Sequence, residues 1–85
     1  MKEFSYTVRS PFGIHARPAA LLVKAVKDLS STVTIKKGDR SAAADRLIAL
    51  MLLEAAQGDR VTVTLEGPEE ERDAVFLEAF FREHL

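Results

Sequence analysis

The chain has 85 residues, too few for two ordinary domains, so we expect a single domain over 1–85. Twelve basic and thirteen acidic side chains give a net charge of −1 and a pI near 6.1, which argues against a general nucleic-acid binder. Cysteine is absent, so neither disulfides nor thiolate metal sites support the fold. No stretch approaches the roughly 20 apolar residues of a membrane span. The sequence therefore predicts a soluble cytoplasmic domain without insertion in a membrane.

The near-neutral total conceals an uneven distribution of charge along the chain. Residues 1–58 carry nine basic and five acidic side chains, a net +4, whereas residues 59–85 carry three basic and eight acidic ones, a net −5. A solvated mixture of charges is one explanation. The other is a basic face that docks on acidic protein partners.

The first part of the chain predicts a strand and then a helix. Phe4, Tyr6 and Val8 alternate with polar residues, as in a half-buried strand. Pro and Gly interrupt the pattern at 10–13. From about Ala16 the apolar spacing is that of an amphipathic helix. The apolar stripe of that helix comprises Ala19, Leu22, Val23, Val26 and Leu29.

The middle of the chain predicts a hairpin and a short helix. Alternation resumes at 32–36, and a turn at 37–39 leads into a short strand around Arg40–Ala43. Asp45 is placed to cap a helix over roughly 46–53.

The last part predicts a strand followed by a long helix. Apolar residues alternate over 61–66, Gly67 and Pro68 turn the chain, and three glutamates at 69–71 open the helix, where the macrodipole favours negative charge. Its buried face comprises Ala74, Leu77, Phe80 and Phe81. Strands and helices with one apolar face each bury it by stacking in layers. The predicted fold is α+β, in the order βαββαβα, with helices on one face of an antiparallel sheet.

The segment 13–20 carries the chemistry, because it lies where a loop leads into the first helix. The first amides of a helix have no intrahelical acceptor, and the dipole leaves partial positive charge there, so such an end binds anions, phosphate included. His15 falls at or beside the N-cap, with Arg17 two residues later.

A single imidazole at this place has several roles open to it: general base, metal ligand, nucleophile or cap. A metal site is poorly supported, because the only other histidine is His84, which we expect merely to complement the negative end of the last helix. No Ser or Cys nucleophile motif accompanies His15. Imidazole is substantially neutral at pH 7, with an unperturbed pKa of about 6.5. The residues alone leave a phosphoryl acceptor and an inert capping histidine equally well supported.

The octapeptide Gly13-Ile14-His15-Ala16-Arg17-Pro18-Ala19-Ala20 resembles the active-site motif of HPr, the histidine phosphocarriers of the phosphoenolpyruvate-dependent phosphotransferase system. Length, element order and motif position agree along the whole chain. The resemblance implies an open-faced β-sandwich with four antiparallel strands and three helices on one face. It also implies that His15 is phosphorylated at Nδ1 by phosphorylated Enzyme I and passes the group to IIA proteins or domains in sugar uptake. Such a protein is a carrier, not an enzyme with turnover of its own, and it uses no cofactor.

The resemblance further implies that Arg17, together with the amides of Ala16 and Arg17, stabilises the phosphoryl group. Partners would dock on the first helix and the short helix, which gives the basic first half of the chain a role and favours a monomer with an open face. The implied docking residues are Phe12, Ala20, Lys24, Lys27, Arg46, Leu47, Ile48 and Met51.

Two positions depart from the family's pattern. Many members have a regulatory serine where this chain has Arg46, and a polar residue where it has Phe12. Arginine has no hydroxyl, so regulatory phosphorylation is not available at that position. The run Leu47–Glu54 resembles the nitrogen-related branch of the family more than typical sugar-system members.

Two functions of other classes compete with the carrier. A regulatory module whose free or phosphorylated form binds a regulator would use the same residues. A nucleic-acid binder on a ferredoxin-like sheet would need aromatic and basic side chains on the open sheet face. Phe4 and Tyr6 are instead in phase with Val8 on the apolar face.

Overall fold

A computed structural model describes all residues 1–85 as four strands and three helices in the predicted order. The elements are β1 Lys2–Thr7, α1 Ala16–Lys27, β2 Thr32–Lys37, β3 Arg40–Ala43, α2 Leu47–Leu52, β4 Arg60–Glu66 and α3 Glu70–His84. The predicted α+β fold is thereby confirmed. None of the three helices combines the length and the apolar character that crossing a membrane requires.

The sheet is antiparallel throughout, with the strand order β1-β4-β2-β3. Phe4 on β1 lies opposite Val63 on β4, and Val63 in turn lies opposite Ile35 on β2. Side chains in such register point to the same face of a sheet. That face is covered by the helices, because Phe81 of α3 packs edge-on against Phe4 with the ring centroids 5.7 Å apart. The other face of β1 presents Ser5 and no aromatic ring, so stacking with nucleic-acid bases has no platform there.

The core lies between the sheet and the three helices. Leu22 of α1, Leu50 of α2 and Phe81 of α3 are completely buried. Removing side chains of this size from water stabilises the fold by about 1.5–3 kcal/mol each. Of the residues predicted to be buried on helices, Val23, Leu29 and Phe80 are only half-buried and pack at the margin of the core.

The predicted cap of α2 is wrong. The N-cap is Arg46, not Asp45, and its backbone is extended with φ −123° and ψ 107°. Arg46 makes no side-chain hydrogen bond to the helix, because a guanidinium has no acceptor atom to offer an amide. The helix spans six residues and ends at Leu52, one residue before the predicted end.

A buried carboxylate ties the start of α3 to the loop after α1. Asp73 is 3% exposed and accepts hydrogen bonds from the hydroxyls of Ser31 at 2.6 Å and Ser30 at 3.4 Å. Buried carboxylates are costly unless they are paired in this way. The contact places the first turn of α3 beside the loop that follows α1.

Candidate functional site

The first turn of α1 presents His15 at its N-cap, as the sequence predicted. The residue has an extended backbone, with φ −98° and ψ −178°, and α1 begins at Ala16. The imidazole is exposed and makes no capping hydrogen bond to the helix. The side chain of His15 therefore does not act as a cap of α1.

The helix end supplies donors to a group placed beside His15. The first backbone hydrogen bond of α1 runs from the amide of Ala19 to the carbonyl of His15, at 3.0 Å. Pro18 has no N–H, so the amides of Ala16 and Arg17 are the two first-turn donors without an intrahelical acceptor. The Arg17 side chain is exposed and forms no ion pair with a carboxylate. These donors, with the dipole of a twelve-residue helix, favour an anion at this place.

The turn before His15 depends on a glycine. Gly13 has φ +67°, in the left-handed region, and its amide donates to the carbonyl of Ser10 at 3.0 Å. A Cβ at Gly13 would collide with the carbonyl oxygen of Ala55. The same oxygen accepts the amide of Ile14 at 2.9 Å. The loop that follows α2 thus fixes the turn that carries His15.

That supporting loop is held by a small group of ion pairs. Glu54 has φ +53°, the only non-glycine residue in the left-handed region. Its carboxylate pairs with Arg40 at 2.8 Å, and its carbonyl accepts a bond from Lys37 at 2.8 Å. The hydrogen bond from Arg40 lowers the pKa of Glu54. The amide of Ala56, together with Lys37, lowers the pKa of Asp59.

An open depression of about 190 Å³ adjoins His15. It is lined by His15, Arg17, Pro18, Leu21 and His84. The sequence predicts only that His84 complements the negative end of α3. It does not predict that His84 lies beside His15. No local pattern shows this placement, because the end of α3 reaches the site only through tertiary contacts, such as the hydrogen bonds from the amides of Arg9 and Ser10 to Leu85.

Phe12 lies on the outer side of the site. It is 80% exposed, and its ring meets that of His15 edge-on with the centroids 5.7 Å apart. An exposed aromatic side chain of this size beside an exposed imidazole is typical of contact surfaces.

The predicted docking residues share the side of the molecule formed by α1 and α2, which pack against each other. Ile48 is 66% exposed and Met51 38%, whereas Leu47 is half-buried. The other predicted docking residues on this side are all exposed, and they are Ala20, Lys24, Lys27 and Arg46. The three cations of that group form no ion pair within the molecule, unlike Lys37 and Arg40. The side therefore combines apolar area with unneutralised positive charge.

No group of three His, Cys, Asp or Glu side chains is arranged to hold a metal ion. The site consists of the imidazole of His15, the free amides of Ala16 and Arg17, the guanidinium of Arg17 and the imidazole of His84. A family model described as "PTS HPr component phosphorylation site" matches residues 2–83. The chain belongs to the HPr family. Members are phosphocarriers of the phosphotransferase system, not enzymes with turnover of their own.

Known members of the family resemble the chain along most of its length. The phosphocarrier protein HPr of Haemophilus influenzae is 39% identical over 67 residues, which is 79% of each chain. The multiphosphoryl transfer protein of Xanthomonas campestris is 33% identical over 66 residues, and the match covers 78% of this chain but 8% of that much longer one. The crystal structure of HPr-C-His from Thermoanaerobacter tengcongensis superposes with a TM-score of 0.92 at 31% identity, covering 99% of this chain and 94% of the other. The family's fold is therefore present in full.

Proposed function

We propose that His15 accepts a phosphoryl group on Nδ1 from phosphorylated Enzyme I and passes it to IIA proteins or domains in sugar uptake. The observation that supports this function is the exposed imidazole of His15 at the N-terminus of α1, which makes no capping hydrogen bond to the helix. Its nitrogens are not engaged by the helix, so a lone pair is available to a phosphorus atom. The family's role as phosphocarrier supports the same reaction.

The transfer needs no proton to leave the site. The lone pair of Nδ1 forms the bond to phosphorus while the bond from phosphorus to the donor's histidine nitrogen breaks. The electron pair of the broken bond returns to the donor's imidazole, and Nε2 of His15 keeps its hydrogen throughout. The three oxygens of the transferred group then carry negative charge beside Arg17 and the amides of Ala16 and Arg17. Electrostatic stabilisation of this kind is the main contribution a protein makes to phosphoryl transfer.

The partners would dock on the side formed by α1 and α2. Phe12, Ile48 and Met51 supply apolar area around the histidine. Lys24, Lys27 and Arg46 supply unpaired positive charge, which steers an acidic partner surface towards the site. The half-buried Leu47 contributes an edge of this surface and also packs on the core.

A relay experiment tests this function. The protein is incubated with labelled phosphoenolpyruvate and Enzyme I, and a IIA protein is added afterwards. Wild type is expected to take up acid-labile label and lose it to the IIA protein, whereas His15→Ala takes up none. Label uptake by His15→Ala equal to that of wild type would refute the assignment. Uptake without transfer to any IIA protein would instead favour the regulatory module.

A further inference from the structure

Given the acceptor role of His15 proposed above, we propose that His84 is a second binding residue for the phosphoryl group. Its imidazole donates a hydrogen bond to a phosphoryl oxygen once the group is on His15. The contact is absent from the unphosphorylated protein, so it favours the phosphorylated form alone.

The first observation is the composition of the depression beside His15. Of its five lining residues, only His15, Arg17 and His84 carry polar side-chain atoms. Its volume of about 190 Å³ exceeds several-fold the roughly 30 Å³ that one water occupies in the liquid. The depression that His15 and His84 both line therefore has room for a group of three oxygens around phosphorus.

The second observation is that the His84 imidazole is uncommitted. It is half-buried and takes part in none of the side-chain hydrogen bonds or ion pairs of the last turn of α3, which join Arg9 to the carbonyl of Arg82 and Arg82 to Glu78. A neutral imidazole always has one N–H to donate, and a protonated one has two. His84 thus has a donor available in either charge state.

The third observation is that the end of α3 is fixed to the loop that leads to His15. The carbonyl of Leu85 accepts the amides of Arg9 at 2.7 Å and Ser10 at 2.9 Å, and Leu85 is 4% exposed. The ring of Phe80 lies against that of His84 with the centroids 4.5 Å apart. His84 is consequently held in place relative to the acceptor, which lowers the entropy lost when it binds the group.

A competition for the phosphoryl group between wild type and each variant measures how much the contact of His84 stabilises the phosphorylated protein. Both proteins are mixed with a catalytic amount of Enzyme I and with less phosphoenolpyruvate than total carrier. Because Enzyme I exchanges the group between them, the ratio of phosphorylated to free wild type, divided by the same ratio for the variant, equals the ratio of their equilibrium constants. Labelling one protein at a time with ¹⁵N lets amide spectra report each phosphorylated fraction.

Three variants separate the hydrogen bond from the packing. His84→Phe keeps a ring against Phe80 but has no N–H, and we expect it to be disfavoured by about tenfold against wild type. His84→Asn restores a donor and is expected to recover to within about threefold. Arg82→Ala, on the same turn but outside the depression, is expected to compete equally with wild type.

The ring nitrogens of His84 give an independent signature. Their ¹⁵N resonances are expected to shift when His15 is phosphorylated. Equal phosphorylation of wild type and His84→Phe, or unchanged His84 ring resonances, would overturn the contact. Failure of wild type to be phosphorylated would contradict the acceptor role itself, so the two failures are distinguishable.

Discussion

The carbonyl oxygen of Ala55 accepts the amide of Ile14 at 2.9 Å, and this bond joins the loop after α2 to the turn before α1. Gly13 lies against the same oxygen with a positive φ, where a side chain has no room. The orientation of His15 at the N-cap of α1 therefore depends on a contact between two loops that are distant in sequence. The helix alone would supply the donors but not the orientation of the imidazole.

Substitution of Gly13 tests this dependence. Gly13→Ala is expected to lower the free energy of unfolding by about 3 kcal/mol, because a left-handed backbone and a steric collision both oppose a Cβ. Gly38→Ala is the matched control, since Gly38 also has a positive φ but has no atom within 4 Å of the added Cβ. Urea unfolding measures both. Equal losses in the two variants would show that Ala55 does not constrain the turn.

Charge reversal on α1 tests the docking surface. Lys27→Glu is expected to lower kcat/KM for phosphorylation by Enzyme I by about tenfold at low salt, because electrostatic steering is lost. The deficit is expected to shrink as salt screens the surface. Lys36→Glu makes the same change of charge on the open face of β2, away from the helices, and serves as the control. A similar deficit in both variants would mean that net charge matters and the placement on α1 does not.

Acid is expected to weaken the loop that supports the site. The pKa values of Glu54 and Asp59 are lowered in the folded protein, by Arg40 and by the amide of Ala56 with Lys37. A lowered pKa stabilises the fold above the pKa of the unfolded chain, and this stabilisation is lost as the pH falls through the still lower pKa of the folded state. Asp59→Asn should therefore be less stable than wild type at pH 7, and the difference should shrink as the pH falls through the range in which Asp59 takes up its proton. A constant difference in the free energy of unfolding across this range would contradict the assignment.

The sequence predicts most of this fold because its elements differ clearly in apolar period. Alternation at 61–66 and helical spacing from Ala16 are local signals, and the structure reproduces both. The cap of α2 was mispredicted, since Asp45 is a good cap by type but stands one residue too early. The left-handed backbone of Glu54 has no local signal either, because it is held by Arg40 and Lys37 from the β2–β3 hairpin.

The candidate site likewise has one part that the sequence predicts and one part that it does not. His15, Arg17 and the free amides are contiguous in the chain, so the octapeptide was sufficient to predict them together. His84 comes to the same depression only because α3 runs back along the core and ends beside the start of α1. Such a placement depends on tertiary packing, which the pattern of a single helix does not contain.

The central claim is that His15 carries the phosphoryl group on Nδ1. The most direct measurement is ¹⁵N and ³¹P NMR of the histidine-labelled protein after incubation with phosphoenolpyruvate and Enzyme I. We predict a phosphorus resonance coupled to Nδ1 of His15, which disappears on mild acid treatment. A phosphorus resonance coupled to His84 or to any other residue, or no phosphorus on the protein, would contradict it.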